Sequence, residues 1–220
     1  GDLSGGMVSY ALGIFNGVGD ARNSSNLDFD DNKAFEGRLF LQPFKKSGVA
    51  ALQGLGLGIS GSYSEISSNA AGLPNGNGFA TDGQQQFFAY TNGVAANGEH
   101  WRLSPQASWY YGPLGLLGEY AISQQRVSRG PFAQDLQNTA WQIAGQWVLT
   151  GEDATSASLA PRHPFDPSSG HWGAWQVVAR YAHLDVDSAA FPLFANPRTS
   201  ASAAFAWSVG LNWWLNRNVR

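Results

Sequence analysis

Cysteine is absent from this 220-residue chain, which excludes disulfide scaffolds and thiolate-bound metals. Long apolar runs are missing as well, none approaching the roughly 18 residues that a membrane-spanning helix needs. If the chain crosses a bilayer, it crosses as strands. Charge is scarce: Asp, Glu, Lys and Arg make up 13% of residues, against about 25% in an ordinary soluble domain. Polarity is carried instead by Ser, Asn, Gln and Gly. The net charge of −3 leaves no basic stripe to meet phosphates, so a nucleic-acid partner is not expected. With 4 scattered histidines and no G-x-S-x-G turn, no nucleophile stands beside a base, and the chain is not expected to be an enzyme.

What the chain has is glycine (27), Phe (13), Trp (9) and Tyr (7), a balance that favours sheet and turn over helix. Their placement alternates with a period of two. Val8, Tyr10, Leu12 and Ile14 share one face while Ser9, Ala11 and Gly13 share the other. Phe35, Leu39 and Leu41 oppose Glu36, Arg38 and Gln42; Leu55, Leu57, Ile59 and Tyr63 oppose Gly56, Gly58, Ser60, Ser62 and Ser64. Farther on, Leu103, Ala107, Trp109 and Tyr111 alternate with Arg102, Ser104, Gln106 and Ser108, and Leu116, Tyr120 and Ile122 with Leu117, Glu119, Ala121 and Ser123. Trp141, Ile143 and Trp147 oppose Gln142, Ala144 and Gln146; Trp175, Val177, Ala179 and Tyr181 oppose Gln176 and Arg180; Phe205, Trp207, Val209, Leu211 and Trp213 oppose Ser208, Gly210 and Asn212.

A soluble sandwich would hide the aromatic face and place charge on the other. Here the other face is Ser, Gly and Gln. A barrel in lipid accounts for both, with apolar side chains against acyl chains and small polar ones against water. The expected fold is therefore all-β, an antiparallel transmembrane β-barrel meander. A soluble all-β carbohydrate-binding module with exposed Trp is the alternative.

Gly112-Pro113 and Leu215 to Asn218 read as tight turns, which belong on the periplasmic side of such barrels. Strand parity then puts Ser128 to Gln137 and Val186 to Ser200 outside, and Gly151 to Gly170 inside, where it is long for its position. Glu65 to Trp101 is an outer excursion containing a short strand over Gln86 to Tyr90. Phe40, Phe44, Tyr110, Tyr111, Trp147, Trp213 and Trp214 fall at the inner headgroup depth that amphipathic rings favour. About eight membrane strands emerge. Open edges cannot sit in hydrocarbon, where each unpaired backbone group costs several kcal/mol, so residues 1–220 read as one β-barrel domain that is incomplete.

Taken in order, Tyr10-Ala-Leu-Gly-Ile-Phe-Asn-Gly17, Phe35-Glu-Gly-Arg-Leu-Phe40, Leu55-Gly-Leu-Gly58, Trp101-Arg-Leu-Ser-Pro-Gln106, Tyr111-Gly-Pro113 and Gly118-Glu-Tyr120 resemble the phosphate- and pyrophosphate-selective porins of Gram-negative outer membranes. The resemblance continues through Leu149-Thr-Gly-Glu152, Gly173-Ala-Trp175, Ala179-Arg-Tyr181 and Asn212-Trp-Trp-Leu-Asn216, over nearly the whole chain. It implies a 16-stranded homotrimeric barrel passing small anions, phosphate or pyrophosphate, by passive diffusion, with lipid and lipopolysaccharide around it and no cofactor. On that alignment the chain covers roughly strands seven to fourteen; the final two strands and the N-terminal half, with the constriction loop, lie beyond it. A structural or receptor-type barrel with a closed pore is the second functional reading.

Arg38, Arg102 and Arg180 fall on the small polar face and so point into the pore, where a guanidinium holds phosphate with two parallel hydrogen bonds. The plainer role is to brace the wall against lumenal Glu36 and Glu119. Lys45 and Lys46, in the inner turn Pro43 to Gly54, read as solvated. His183, Asp185 and Asp187 stand two apart, but no second histidine completes a metal set, and a solvated rim is expected. Asp28, Asp30, Asp31 and Asn32 lack the glycine and closing glutamate of a calcium loop and read as an acidic outer loop. Gly56, Gly58 and Gly61 match G-x-G-x-x-G only formally, because Ser62-Tyr-Ser64 continues the strand; these glycines admit a close neighbour instead.

Overall fold

The computed structural model describes residues 1–16, 31–74 and 77–220. The two-residue alternation becomes strand throughout: β1 (Asp2–Leu3), β2 (Val8–Phe15), β3 (Ala34–Leu41), β4 (Leu55–Asn69), β5 (Gly78–Ala80), β6 (Gln86–Ala89), β7 (Ala95–Tyr111), β8 (Leu114–Arg129), β9 (Phe132–Val148), β10 (Ala174–Asp185) and β11 (Ala203–Trp214). Nine of them form one sheet in the order β1-β2-β3-β4-β7-β8-β9-β10-β11, antiparallel at every step, while β5 and β6 pair as a separate ribbon. Eight of the nine are long, as the sequence pattern requires. The sheet is open, with β11 at one edge and β1 and β2 at the other.

The pleat sends alternate side chains to opposite faces, and the pairing keeps like with like. Leu12 and Ile14 of β2 lie on the same face as Leu39 and Phe35 of β3, and this row continues through Leu57, Ile59 and Tyr63 to Leu103 of β7. Most of that face is left uncovered by the rest of the described protein: Leu12 is 84% exposed, Trp207 72%, Val209 68% and Ile143 52%. Trp109 and Ile122 are half-buried on the same side. Leu12, Leu57, Trp109, Ile122 and Trp207 therefore share no dry interior, and the sandwich alternative fails. We call this the bare face and the opposite one the polar face.

Two connections are as short as a hairpin allows. Gly112-Pro113 joins β7 to β8 and Gly130-Pro131 joins β8 to β9, each with glycine first at positive φ (52° and 58°), the residue order of a II′ turn. The second corrects the expectation of an outer loop over Ser128 to Gln137. Those residues are ladder, paired from Gln124↔Gln137 out to Arg129↔Phe132, because the strands continue well past the apolar segment. The outer excursion is likewise shorter than the sequence implied, since β4 and β7 stay paired as far as Asn69 and Ala96. Gln86–Ala89 is a strand within it, as expected.

Three connections, residues 70–94, 151–170 and 186–202, fold back over the polar face. At the outer end, Leu73, Phe88, Tyr90 and Val94 of the 70–94 excursion and Ala190, Phe194 and Ala195 of the 186–202 connection bury against Val127 of β8 and Leu136 of β9. At the inner end, Ala154 and Leu159 bury against Val148, Ala174 and Trp214. Residues 151–170 thus lie at the same end of the sheet as the Gly112-Pro113 turn, and their length is explained by this docking. The aromatic belt needs correction in the same terms. Tyr111, Trp147 and Trp213 are on the bare face, joined by Trp175, which stacks on Trp213 at 5.2 Å. Phe40, Tyr110 and Trp214 have the opposite parity and serve the polar face, Trp214 as part of the inner cluster.

Candidate functional site

Between the two apolar clusters the polar face is a band of hydroxyls, amides and charges. Register fixes its rungs: Glu36, Ser62, Arg102, Ser123 and Asn138 stand side by side on β3, β4, β7, β8 and β9, and Arg38, Ser60 and Ser104 form the next rung inward. Arg38 and Arg102 consequently line one recess of about 430 Å³ with Glu36, Ser60, Ser62 and Ser104. The Arg38 guanidinium sits 5.5 Å above the ring of Phe40, which lies across Gly56 and Gly58. Those two glycines thus make room for a ring that carries an arginine.

Arg180 lies apart from this pair. It lines a second recess of about 230 Å³ with Asp82, Glu119 and Gln142, floored by Ala121, Ala140, Ala182 and Ala206. Its Nε donates to Gln142 Oε1 at 2.7 Å, and its other edge meets Asp82 Oδ2 at 3.0 Å. Gln142 is oriented by its second bond, its amide nitrogen donating to Glu119 Oε2 at 2.8 Å, while Ser104 Oγ donates to Glu119 Oε1 at 2.8 Å. For Arg180 the geometry differs from the expected brace: Glu119 reaches it through Gln142, and the carboxylate on Arg180 belongs to Asp82. Asp82 carries no local sequence signal, since its partner is 98 residues away.

A third recess, about 970 Å³, opens at the inner end beside Ser156, Ser158, Arg217 and Arg220. Its wall is an amide ladder on three strands. Gln176 Oε1 accepts from Asn212 Nδ2 and from the Trp214 indole, both at 3.0 Å, and the Gln176 amide donates to Gln146. Gln146 in turn donates to the Thr155 carbonyl at 3.0 Å, pinning the 151–170 segment to the wall. Within that segment Glu152 is nearly buried. Burial works to raise its pKa, but hydrogen bonds from Thr150 and from the Arg162 backbone, with the Arg162 charge, outweigh it and hold the carboxyl below its ordinary value.

The other sequence candidates disperse. His183 Nδ1 is 3.0 Å from Asp185 Oδ2 on the bare face, beside Trp141, whereas Asp187 turns away to accept from the backbone of Gln137 and Ala189. Lys45 donates to the Gly6 carbonyl at 3.3 Å. Gly56, Gly58 and Gly61 all lie within β4. Asp28 and Asp30 fall outside the described residues.

A sheet with one face left for lipid, one face polar under infolded connections, and a meander order throughout defines the wall of a transmembrane β-barrel with an aqueous interior. The family model for phosphate-selective porins O and P matches residues 2–220, and the chain belongs to that family. It is accordingly an outer-membrane channel protein of a phosphate-selective class. Among curated proteins, none matches the sequence.

Proposed function

We propose that the polar face lines a water-filled path through which small anions, phosphate or pyrophosphate, diffuse passively, guided by Arg38, Arg102 and Arg180 with Glu36 and Glu119 as acidic partners. The observation that carries this reading is the recess in which Arg38 and Arg102 stand over Ser60, Ser62 and Ser104. Fixed guanidinium charge lowers the barrier to anions, and hydroxyls replace part of the hydration shell. The open edges of β2 and β11 need partner strands in a bilayer, so the complete pore contains more strands than these eight. Assembly as a homotrimer and contact of the outer rim with lipopolysaccharide belong to the same reading.

Reversal potentials of the porin in planar bilayers under a KCl gradient test it: chloride passes in preference to potassium, and Arg38→Gln with Arg102→Gln reduces that preference. Potassium preference in the unsubstituted protein overturns the reading. A structural or receptor-type barrel without an open pore is the second reading, favoured by the apolar cover that Leu73, Phe88 and Phe194 place over the polar face. Correctly inserted protein with no conductance decides for it.

A further inference from the structure

Arg180 meets a carboxylate from outside the sheet, Asp82, and the way that carboxylate is delivered is specific. Asp82 sits at the tip of the β5–β6 ribbon, closed by Thr81 N to Gln85 O and Gln84 N to Thr81 O, with Gln84 in the left-handed region at φ 61°. The ribbon does not depend on Asp82 for its position. Phe88 is fully buried in the outer cluster, Ala201 N bonds the Phe87 carbonyl, and Ser200 Oγ both accepts from Ala89 N and donates to Ala89 O.

An arm anchored at Phe87, Phe88 and Ala89 thus holds a carboxylate against a guanidinium whose other edge is already bonded by Gln142. The ion pair is itself open to water, its side chains 40% and 58% exposed, so it contributes little to stability. It does, however, occupy the face of Arg180 that a carboxylate or phosphate oxygen from solution would take.

We propose that Asp82 is a built-in competing anion, a tethered carboxylate that holds the Arg180 position until a permeating phosphate displaces it, and so sets how tightly the pore retains phosphate. The inference rests on the anion reading of the wall and adds to it a residue that works against binding. Tight retention slows exit, and a channel conducts only when ions leave as readily as they enter.

The test is block of chloride current by inorganic phosphate, measured on the porin in planar bilayers for Asp82→Asn, Arg180→Gln and the double variant. Asp82→Asn lowers the half-blocking phosphate concentration about two- to fivefold, the range of an exposed ion pair, and the gain disappears when Arg180 is already Gln. Asp82→Glu, which keeps a carboxylate on a longer arm, blocks close to the unsubstituted protein. Unchanged block in Asp82→Asn, or a gain that persists in the Arg180→Gln background, overturns the competing-anion role and leaves chloride preference untouched. Loss of chloride preference in the unsubstituted protein is a separate result and overturns the anion reading itself.

Discussion

The ring of Phe40 lies across Gly58: a Cβ added there would stand 2.9 Å from Phe40 Cδ2 and 2.7 Å from Gln106 Cγ. The ring in turn carries Arg38. Gly58→Ala must therefore push Phe40 aside, at a cost of about 1–3 kcal/mol for overpacking. Urea titration of insertion into vesicles measures that loss, and the same variant moves Arg38 and weakens chloride preference. Gly118, beside which only the Gln142 carbonyl lies within 4 Å, takes Ala with neither effect.

The two faces of β11 make opposite predictions one residue apart. Val209, 68% exposed on the bare face, meets acyl chains, so Val209→Arg destabilises the inserted protein by about 2–4 kcal/mol near mid-membrane. Ser208 pairs with Arg180 across the ladder on the polar face, and Ser208→Asn, facing water, is tolerated. Equilibrium folding into vesicles compares the pair.

Removing Gln176 from the amide ladder orphans several partners at once. Gln176→Leu deprives the Trp214 indole and Asn212 of their acceptor, and a buried polar group left unpaired costs about 1–3 kcal/mol. The 151–170 segment loosens, and limited proteolysis cuts it faster than in the unsubstituted protein.

Two groups outside the membrane strands report on pH. Hydrogen bonds from the Ser168 and Ser169 hydroxyls and backbone, against slight burial, hold Asp166 at about 2. Because its folded value is depressed below the usual value of about 3.9, its contribution to local stability is present above that value and lost as pH falls toward about 2. Carboxyl NMR shifts follow it, and Asp166→Asn removes the dependence. Burial pushes Tyr90 up to about 12. The outer cluster is therefore stable below the ordinary tyrosine value and opens as pH rises through about 12, as ultraviolet tyrosinate absorbance records. The Tyr90 hydroxyl faces Asn138 without reaching hydrogen-bond geometry, so Tyr90→Phe is neutral or stabilising by up to about 1 kcal/mol and abolishes that signal.

The strands were legible in the sequence because the side-chain period is local: Leu12, Leu57, Ile143 and Trp207 report their face within three or four residues of chain. Arg38, Arg102 and Arg180 were legible on the polar face for the same reason. What the period does not encode is which polar-face positions end up covered. Val127, Leu136, Val148 and Trp214 break the small polar pattern at strand ends, a signal that an apolar lid is due there, but the lid residues Leu73, Phe88, Leu159 and Phe194 lie in segments without periodicity. Asp82 could not be assigned to Arg180 at all, because long-range ion pairs leave no spacing to read. Ser128 to Gln137 misled because a polar segment with Gly130-Pro131 looks like a loop whether its flanks pair or not.

The outer cluster joins parts of the chain that are far apart: Ala89 meets Ser200, and Thr91 meets Phe194. Contacts spanning more than a hundred residues carry a large loop-closure cost and form slowly. Their binding surface is also composite, since Val127 and Leu136 come together only when β8 and β9 have zipped up. Maturation is therefore ordered, with the wall assembling first and the lids settling last. An intermediate of native strand content but protease-sensitive lids should accumulate during refolding, and in the cell that species would be the one presenting the uncovered apolar ends of the polar face to periplasmic chaperones.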